Sequence, residues 1–278
     1  MASRAAFARP ATETREALRS ITVEIGDIPV RLRPSEPGFD SILTTRYAGF
    51  LNPTARPASQ LDVLLQPPPE PSDEDVHVSK AGFVWQIQRG DFLAEWDSRS
   101  RCGWVQQAPN PYSIDTVLRI VHTLLLADEG GFLLHASSVV RNGRAFLFTG
   151  VSGAGKTTIS RLAPHDAVLL TDEISYARRM GGGYRAYGTP FAGELQKPGA
   201  NISAPISAVY LLEKGPENKI EVIEPLAAAR GLLRNILFFA QDDDLVNRVF
   251  ESAVEFASRV CINRLIFAPD QRVWELIG

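Results

Sequence analysis

Cysteine, methionine and histidine are all scarce in this 278-residue chain, which has two, two and four of them. Cys102 and Cys261 stand in unrelated contexts, so they build neither a disulfide framework nor a thiolate metal site. That absence makes a reducing cytoplasm the expected compartment. No apolar run approaches the roughly 20 residues that a bilayer crossing needs. Arg4 and Arg9 precede no apolar core of the kind a secretory signal carries. A block of Lys and Arg is also missing, and the formal net charge is −3. Neither a membrane nor a nucleic acid is therefore an expected partner. Hydrophobic residues at 45% and charged residues at 22% leave an ordinary globular protein of one large or two smaller domains.

What the chain does have is Phe146–Thr158, FLFTGVSGAGKTT. Ala145–Phe148 reads as a short buried strand. Gly150, Val151, Ser152, Gly153, Ala154, Gly155, Lys156 and Thr157 then fill G-x-x-x-x-G-K-[ST] without a mismatch, and Thr158 follows. At average composition that pattern arises by chance in about one chain in a hundred of this length. Glycines let backbone N–H groups close on phosphate oxygens. Lys156 adds a point charge over the β- and γ-phosphates, and the Thr157 hydroxyl is a ligand type for Mg²⁺. Thr157–Leu162 opens a helix whose N-terminus points at the same anion. The expectation is a site for ATP and Mg²⁺.

Before this stretch, residues 1–20 read as a flexible leader. Ile21, Val23 and Ile25 begin an alternating pattern that turns at Gly26–Pro29 and resumes with Val30 and Leu32. Gln60–Leu65 is a further strand, followed by a loop through Pro67-Pro68-Pro69 and the acidic patch Asp73–Asp75. Gly82–Gln88 and Asp91–Trp96 flank a turn at Arg89-Gly90, and Cys102–Gln106 adds a strand. Trp85, Trp96 and Trp104 read as core rather than as a ligand face. Residues 21–110 thus form a β-rich, mostly antiparallel module, and residues 111–278 the domain that carries chemistry.

Ser113 to about Ala127 reads as a helix with Val117, Ile120, Val121, Leu124 and Leu125 on its apolar side. Phe132–Leu134 is a strand, and Asn142-Gly143 is a strong hairpin signal. An antiparallel strand is therefore expected beside the one that feeds the glycine-rich loop. Pro164 stops the next helix. Ala167–Leu170 is an apolar strand with Thr171-Asp172-Glu173 at its end, which brings the acids to the triphosphate rim. Ile174–Arg179 and Tyr184–Tyr187 form a hairpin, and Ser207–Leu212 and Ile220–Ile223 are strands about a turn at Gly215–Asn218. Helices are expected over Leu226–Phe239 and Asp243–Val260, and Arg264–Phe267 and Arg272–Ile277 close the chain.

A carboxylate beside a triphosphate can hold Mg²⁺ or take a proton from an attacking hydroxyl. Asp172 is assigned to Mg²⁺ and open to base work, with Glu173 assisting. His135 stands where its imidazole can approach the same acids, and a structural role suits it equally. Glu194 and Lys197 read either as a substrate-facing wall or as surface charge. Arg230 and Arg234 share a helix face and read best as solvent-facing.

His135 at a strand end, GVSGAGKTT at 150–158 and LLTDE at 169–173 together resemble the catalytic domain of HPr serine kinases. They are also similar to the nucleotide core of ATP-dependent phosphoenolpyruvate carboxykinase. The resemblance spans about Gly130 to Ile277. It implies an α/β (α+β, mixed-sheet) P-loop core, with Lys156 and Thr157 serving phosphates and metal and His135 as an active-site histidine. Asp172 matches the first acid of the family's Asp-Asp pair; Glu173 stands where a second Asp is usual, which leaves the base unassigned between them. GELQKPGANISAP departs from the family's downstream signature, and the N-terminal module looks β-rich rather than α/β. Both features point away from HPr as acceptor. They point toward HPr-kinase-related proteins of peptide-modification systems, including kinases of lasso-peptide precursors. The expected activity is transfer of the ATP γ-phosphoryl group to a serine hydroxyl of a peptide or small protein. Alternatives are a P-loop ATPase, a nucleotide-binding partner of a biosynthetic complex, and a kinase of a small hydroxyl compound such as free serine. Oligomeric state is left open.

Overall fold

Alternating apolar residues in the first third of the chain pair into one sheet. The computed structural model describes residues 19–66 and 75–277. Most of the expected leader lies outside these ranges, as does the proline run with most of the acidic patch after it. Seven strands, β1 (Ile21–Ile25), β2 (Ile28–Pro34), β3 (Ser59–Leu65), β4 (His77–Ala81), β5 (Val84–Arg89), β6 (Phe92–Asp97) and β7 (Cys102–Gln107), lie in the order β1-β2-β3-β7-β6-β5-β4. Trp85 and Trp96 face each other across β5 and β6, and Trp85, Trp96 and Trp104 are all buried. The indole N–H of Trp96 donates to Ser59 Oγ at 2.9 Å, which gives that buried polar edge its partner.

Most pairings in this sheet are antiparallel, as expected, with β4 on β5, β5 on β6 and β6 on β7. β2 with β3 and β3 with β7 are parallel pairs, so the sheet is mixed. A parallel pair needs a crossover rather than a tight turn. Helix α1 (Phe39–Arg46), which buries Phe39 and Leu43, supplies part of the one between β2 and β3. Its sequence, FDSILTTR, holds too few apolar residues to announce a helix.

The chain divides into two units. One takes in Pro29–Arg46 and Leu51–Leu118 with the chain up to Val23; the other takes in Glu24–Ile28, Tyr47–Phe50 and Arg119–Gly278. Helix α2 (Pro111–Asp128) buries Val117, Ile120, Val121, Leu124 and Leu125, the side its periodicity marks. Beyond it come β8 (Phe132–Arg141), β9 (Arg144–Thr149), α3 (Lys156–Arg161), β10 (Val168–Thr171), β11 (Ile174–Met180), β12 (Gly183–Tyr187) and β13 (Ser203–Lys214). β14 (Lys219–Val222), α4 (Pro225–Leu233), α5 (Asp243–Arg259) and β15 (Cys261–Phe267) complete the set.

β8 is the hub of this second, mixed sheet. β9 joins it antiparallel through the Asn142-Gly143 turn, with Asn142 in the left-handed conformation such a turn requires (φ 51°). β10 and β11 are also antiparallel to β8 and occupy it in succession, Thr171 opposite Ser138 and Ile174 opposite His135. The two strands are one run, broken only at Asp172 and Glu173. β9 and β10 consequently point the same way, and the loop after β9 emerges at the same level of β8 as the break after β10. β13 lies parallel to β9 and to β15, whereas β14 pairs with β15 and not with β13.

A buried cluster of Phe146, Phe148, Ile159, Tyr210, Leu265, Phe267 and Trp274 supports α3 and the strand before it. Each such side chain contributes about 1.5–3 kcal/mol through burial. Phe148 stacks on Tyr210 and meets Trp274 edge-on, with ring centres 5.6 and 5.5 Å apart. The Trp274 indole N–H donates to the Ile159 carbonyl at 3.2 Å. Gln271–Glu275, within the segment that closes the chain, is a 3₁₀ turn.

The helix expected over Leu226–Phe239 stops at Leu233. The following residues pair with the first half of β8 instead: His135 N–H donates to the Asn235 carbonyl at 2.7 Å and Leu237 N–H to the Leu133 carbonyl at 2.9 Å. Buried strand amides require partners, and β9 reaches only the second half of β8. That tertiary demand outweighs the helical periodicity.

Candidate functional site

At the level of His135, β8 is flanked by the end of β9 and by the break between β10 and β11. Thr149, the last residue of β9, donates its hydroxyl to the His135 carbonyl at 2.8 Å, and Ala136 N–H donates to the Glu173 carbonyl at 3.0 Å. The break is held by Thr171, whose Oγ1 accepts the N–H groups of Glu173 and Ile174, each at 3.2 Å. A cavity of about 380 Å³ opens there. It collects Ser152, Gly153, Gly155, Lys156, Thr157 and Thr158 from the glycine-rich loop, His135 from β8, Asp172 and Glu173 from the break, and Gly193 and Glu194 from the loop after β12.

The remaining members of the expected phosphate loop, Gly150, Val151 and Ala154, do not line the cavity. Val151 is exposed, and Ala154 is buried in the core cluster. Lys156 arches back so that Nζ donates to the Gly150 and Val151 carbonyls at 3.0 and 3.4 Å. Its backbone carbonyl accepts the Ser137 hydroxyl at 3.1 Å, tying α3 to β8. Gly155 has no freedom to be anything else: φ is +109°, and a Cβ there would lie 2.6 Å from the Phe267 ring. α3 has only six residues, so the loop's own N–H groups, more than a helix dipole, would meet an anion.

Asp172 is only 3% exposed. Its Oδ1 accepts the Gly193 N–H at 2.9 Å and its Oδ2 the Leu195 N–H at 2.7 Å. Each oxygen keeps a lone pair. Gly193 is needed here, because a Cβ would fall 2.9 Å from both Asp172 Oδ2 and Glu173 Cβ. The rest of this loop is fastened to β10, with Thr189 N–H on the Leu170 carbonyl (3.0 Å) and Ala200 N–H on the Leu169 carbonyl (2.9 Å).

Three groups in the cavity are electrostatically perturbed. Burial lowers the His135 pKa and nearby Lys156 lowers it further, so the imidazole is neutral at pH 7. Burial also lowers that of Lys156, against the opposing pull of Glu194 and Glu173. Burial raises the Glu173 carboxyl; Arg119 opposes that rise and Asp172 adds to it. Perturbed titratable groups gathered in one cavity are a mark of a functional site.

Arg119, Ser137, Gly193 and Leu195 were not anticipated from sequence. Arg119 Nη2 lies 4.0 Å from Glu173 Oε2, and its guanidinium sits 4.9 Å from the centre of the Phe191 ring. A cation set between the apolar pairs Val117-Leu118 and Ile120-Val121 was the signal available for it. Lys197, Arg230 and Arg234 do not line the cavity and are exposed. Among the described residues no cluster of three or more His, Cys, Asp or Glu side chains could hold a metal, and no helix is long and apolar enough to cross a membrane.

The model of the family described as SynChlorMet cassette protein ScmC matches residues 107–278. No curated protein matches the chain. Among solved structures, the Hpr(Ser) kinase/phosphatase from Coxiella burnetii is 14% identical, with a TM-score of 0.25 over 43% of this chain and 87% of that one.

Proposed function

This chain belongs to the ScmC family of SynChlorMet cassette proteins, and from its site we propose that it is an ATP-dependent kinase of a hydroxyl group, with serine in a cassette-encoded peptide as the favoured acceptor. One observation carries the reading. The glycine-rich loop with Lys156 and Thr157, the neutral His135 and the Asp172-Glu173 pair all open into a single cavity.

The donor set fits a phosphate-bound divalent ion. Thr157 and Asp172 offer the hard oxygens Mg²⁺ prefers, and Asp172 retains a free lone pair on each oxygen. When bound, Mg²⁺ would neutralise charge on the phosphates. Lys156 and the loop amides hold phosphate oxygens. With Asp172 tied to two amides, Glu173 is the better proton acceptor for the incoming hydroxyl, and burial makes it the stronger base. His135 offers a hydrogen bond without adding charge.

The test is transfer of label from γ-labelled ATP to candidate peptides and to free serine, with Lys156→Met and Glu173→Gln beside the wild type. Label on a hydroxyl, reduced about 10²–10³-fold in Lys156→Met, is expected. ATP consumed with no labelled acceptor would make the protein a hydrolase. ATP bound with no turnover would make it a nucleotide-binding partner of the cassette.

A further inference from the structure

The cavity that joins the glycine-rich loop to the acids offers no apolar wall for a flat ring. Glycines, hydroxyls, carboxylates, Lys156 and His135 make up its lining. An ATP whose phosphates lie there must place its nucleoside elsewhere. Strands β9, β13 and β15 are parallel neighbours, so all three end on one rim, and ligands of such sheets sit outside the carboxyl ends of the strands. Thr149, the end of β9, is opposite Leu211, and Lys214 is opposite Phe267. At about 3.3 Å per residue, β13 and β15 therefore run roughly 10 Å past β9 and stand beside the glycine-rich loop. The loop meets that wall, because Gly155 lies against the Phe267 ring.

A second pocket, of about 320 Å³, begins at the next residue, Ala268. It lies between the turn after β13 and the segment after β15, and both are fastened. Gly215 N–H donates to the Phe267 carbonyl at 3.2 Å, and Ala268 N–H to Asn218 Oδ1 at 3.1 Å. Asp270 accepts the Arg272 N–H at 2.9 Å and pairs with its guanidinium at 2.7 and 2.5 Å. Pro216, Ala268 and Leu276 give the pocket apolar walls. With Arg272 committed to Asp270, the carboxylates of Glu217 and Glu275 leave the lining net negative. Phosphate is repelled from such a lining, whereas ribose hydroxyls and an exocyclic amine donate to it and a ring face lies on its apolar walls.

We propose that this pocket is the nucleoside subsite for the triphosphate held at the glycine-rich loop, with Glu217 accepting from the nucleoside and Leu276 packing on it. The proposal rests on the kinase reading.

Calorimetric titration of the full chain with Mg-ATP and with inorganic Mg-tripolyphosphate tests it, since the second ligand has the phosphates and no nucleoside. The wild type is expected to bind ATP about a hundredfold more tightly than tripolyphosphate. Glu217→Ala and Leu276→Asp are each expected to weaken ATP about tenfold. Both should leave tripolyphosphate within about threefold of its wild-type affinity, because exposed charges beyond the phosphates are screened. Should Leu276→Asp not fold, judged by circular dichroism, Glu217→Ala on its exposed turn still decides. An unchanged preference for ATP in the variants overturns the subsite and leaves the kinase reading standing. So does a wild type that binds ATP no more tightly than tripolyphosphate. A wild type that binds no ATP overturns both.

Discussion

Glu173 and Arg119 show how one pair of side chains couples burial to chemistry. Burial raises the Glu173 carboxyl above its ordinary value of 4.5, and Arg119 holds that rise back. Base catalysis needs the ionised form, so phosphotransfer should fall as pH drops through this raised value. Arg119→Met removes the opposing cation, and the acid limb of kcat/KM should move to higher pH, while Arg119→Lys should leave it nearly in place. His122 gives a stability counterpart. It is fully buried, its Nδ1 is 3.2 Å from the Tyr176 hydroxyl, and burial lowers its pKa from 6.5 to about 3. The unfolded chain therefore binds a proton that the folded chain refuses between those values. Stability from this group is complete above pH 6.5 and is lost as pH falls toward 3. Urea midpoints should drop less between pH 7 and pH 5 in His122→Gln than in the wild type, although the variant is less stable at pH 7.

At the scale of elements, the break between β10 and β11 does what a loop could not. Two strands on the same edge of β8 hold Asp172 and Glu173 from both sides, and the Gly193–Leu195 backbone locks the first acid. Gly193→Ala should therefore impair both fold and activity. Its Cβ must displace Asp172 or the loop, at about 1–3 kcal/mol in a urea titration, with lower phosphotransfer at unchanged ATP affinity if only the acids move. The glycine-rich loop answers to a different element. Gly155→Ala presses on Phe267 of β15, so loss of ATP binding by calorimetry should accompany the loss of stability.

Across the whole molecule, the unit that holds the cavity does not coincide with a contiguous stretch of sequence. Glu24–Ile28 and Tyr47–Phe50 belong to it. Arg178 donates to the Gly26 carbonyl at 2.6 Å, and Asp27 hydrogen-bonds Tyr187, whose phenol is pushed up to about 12, chiefly by burial. A fragment of residues 111–278 lacks these partners and should fold poorly, with dispersed amide signals absent or its melting temperature well below that of the full chain.

Short-range signals were enough to locate the glycine-rich loop between β9 and α3, the Asn142-Gly143 turn, the buried tryptophans and the acids at 172–173, because each depends on local backbone preference or on alternation along a few residues. The strand-like close of residues 235–237, the parallel pairs around β3, and the roles of Arg119 and Gly193 depend on which chain segments become neighbours. Arg119 and Glu173 are 54 positions apart, and Asp172 and Gly193 are 21 apart. Residue types can state that a carboxylate is present. Only the folding of β10 and β11 onto one edge of β8 decides that it faces a lysine, a histidine and two backbone amides at once.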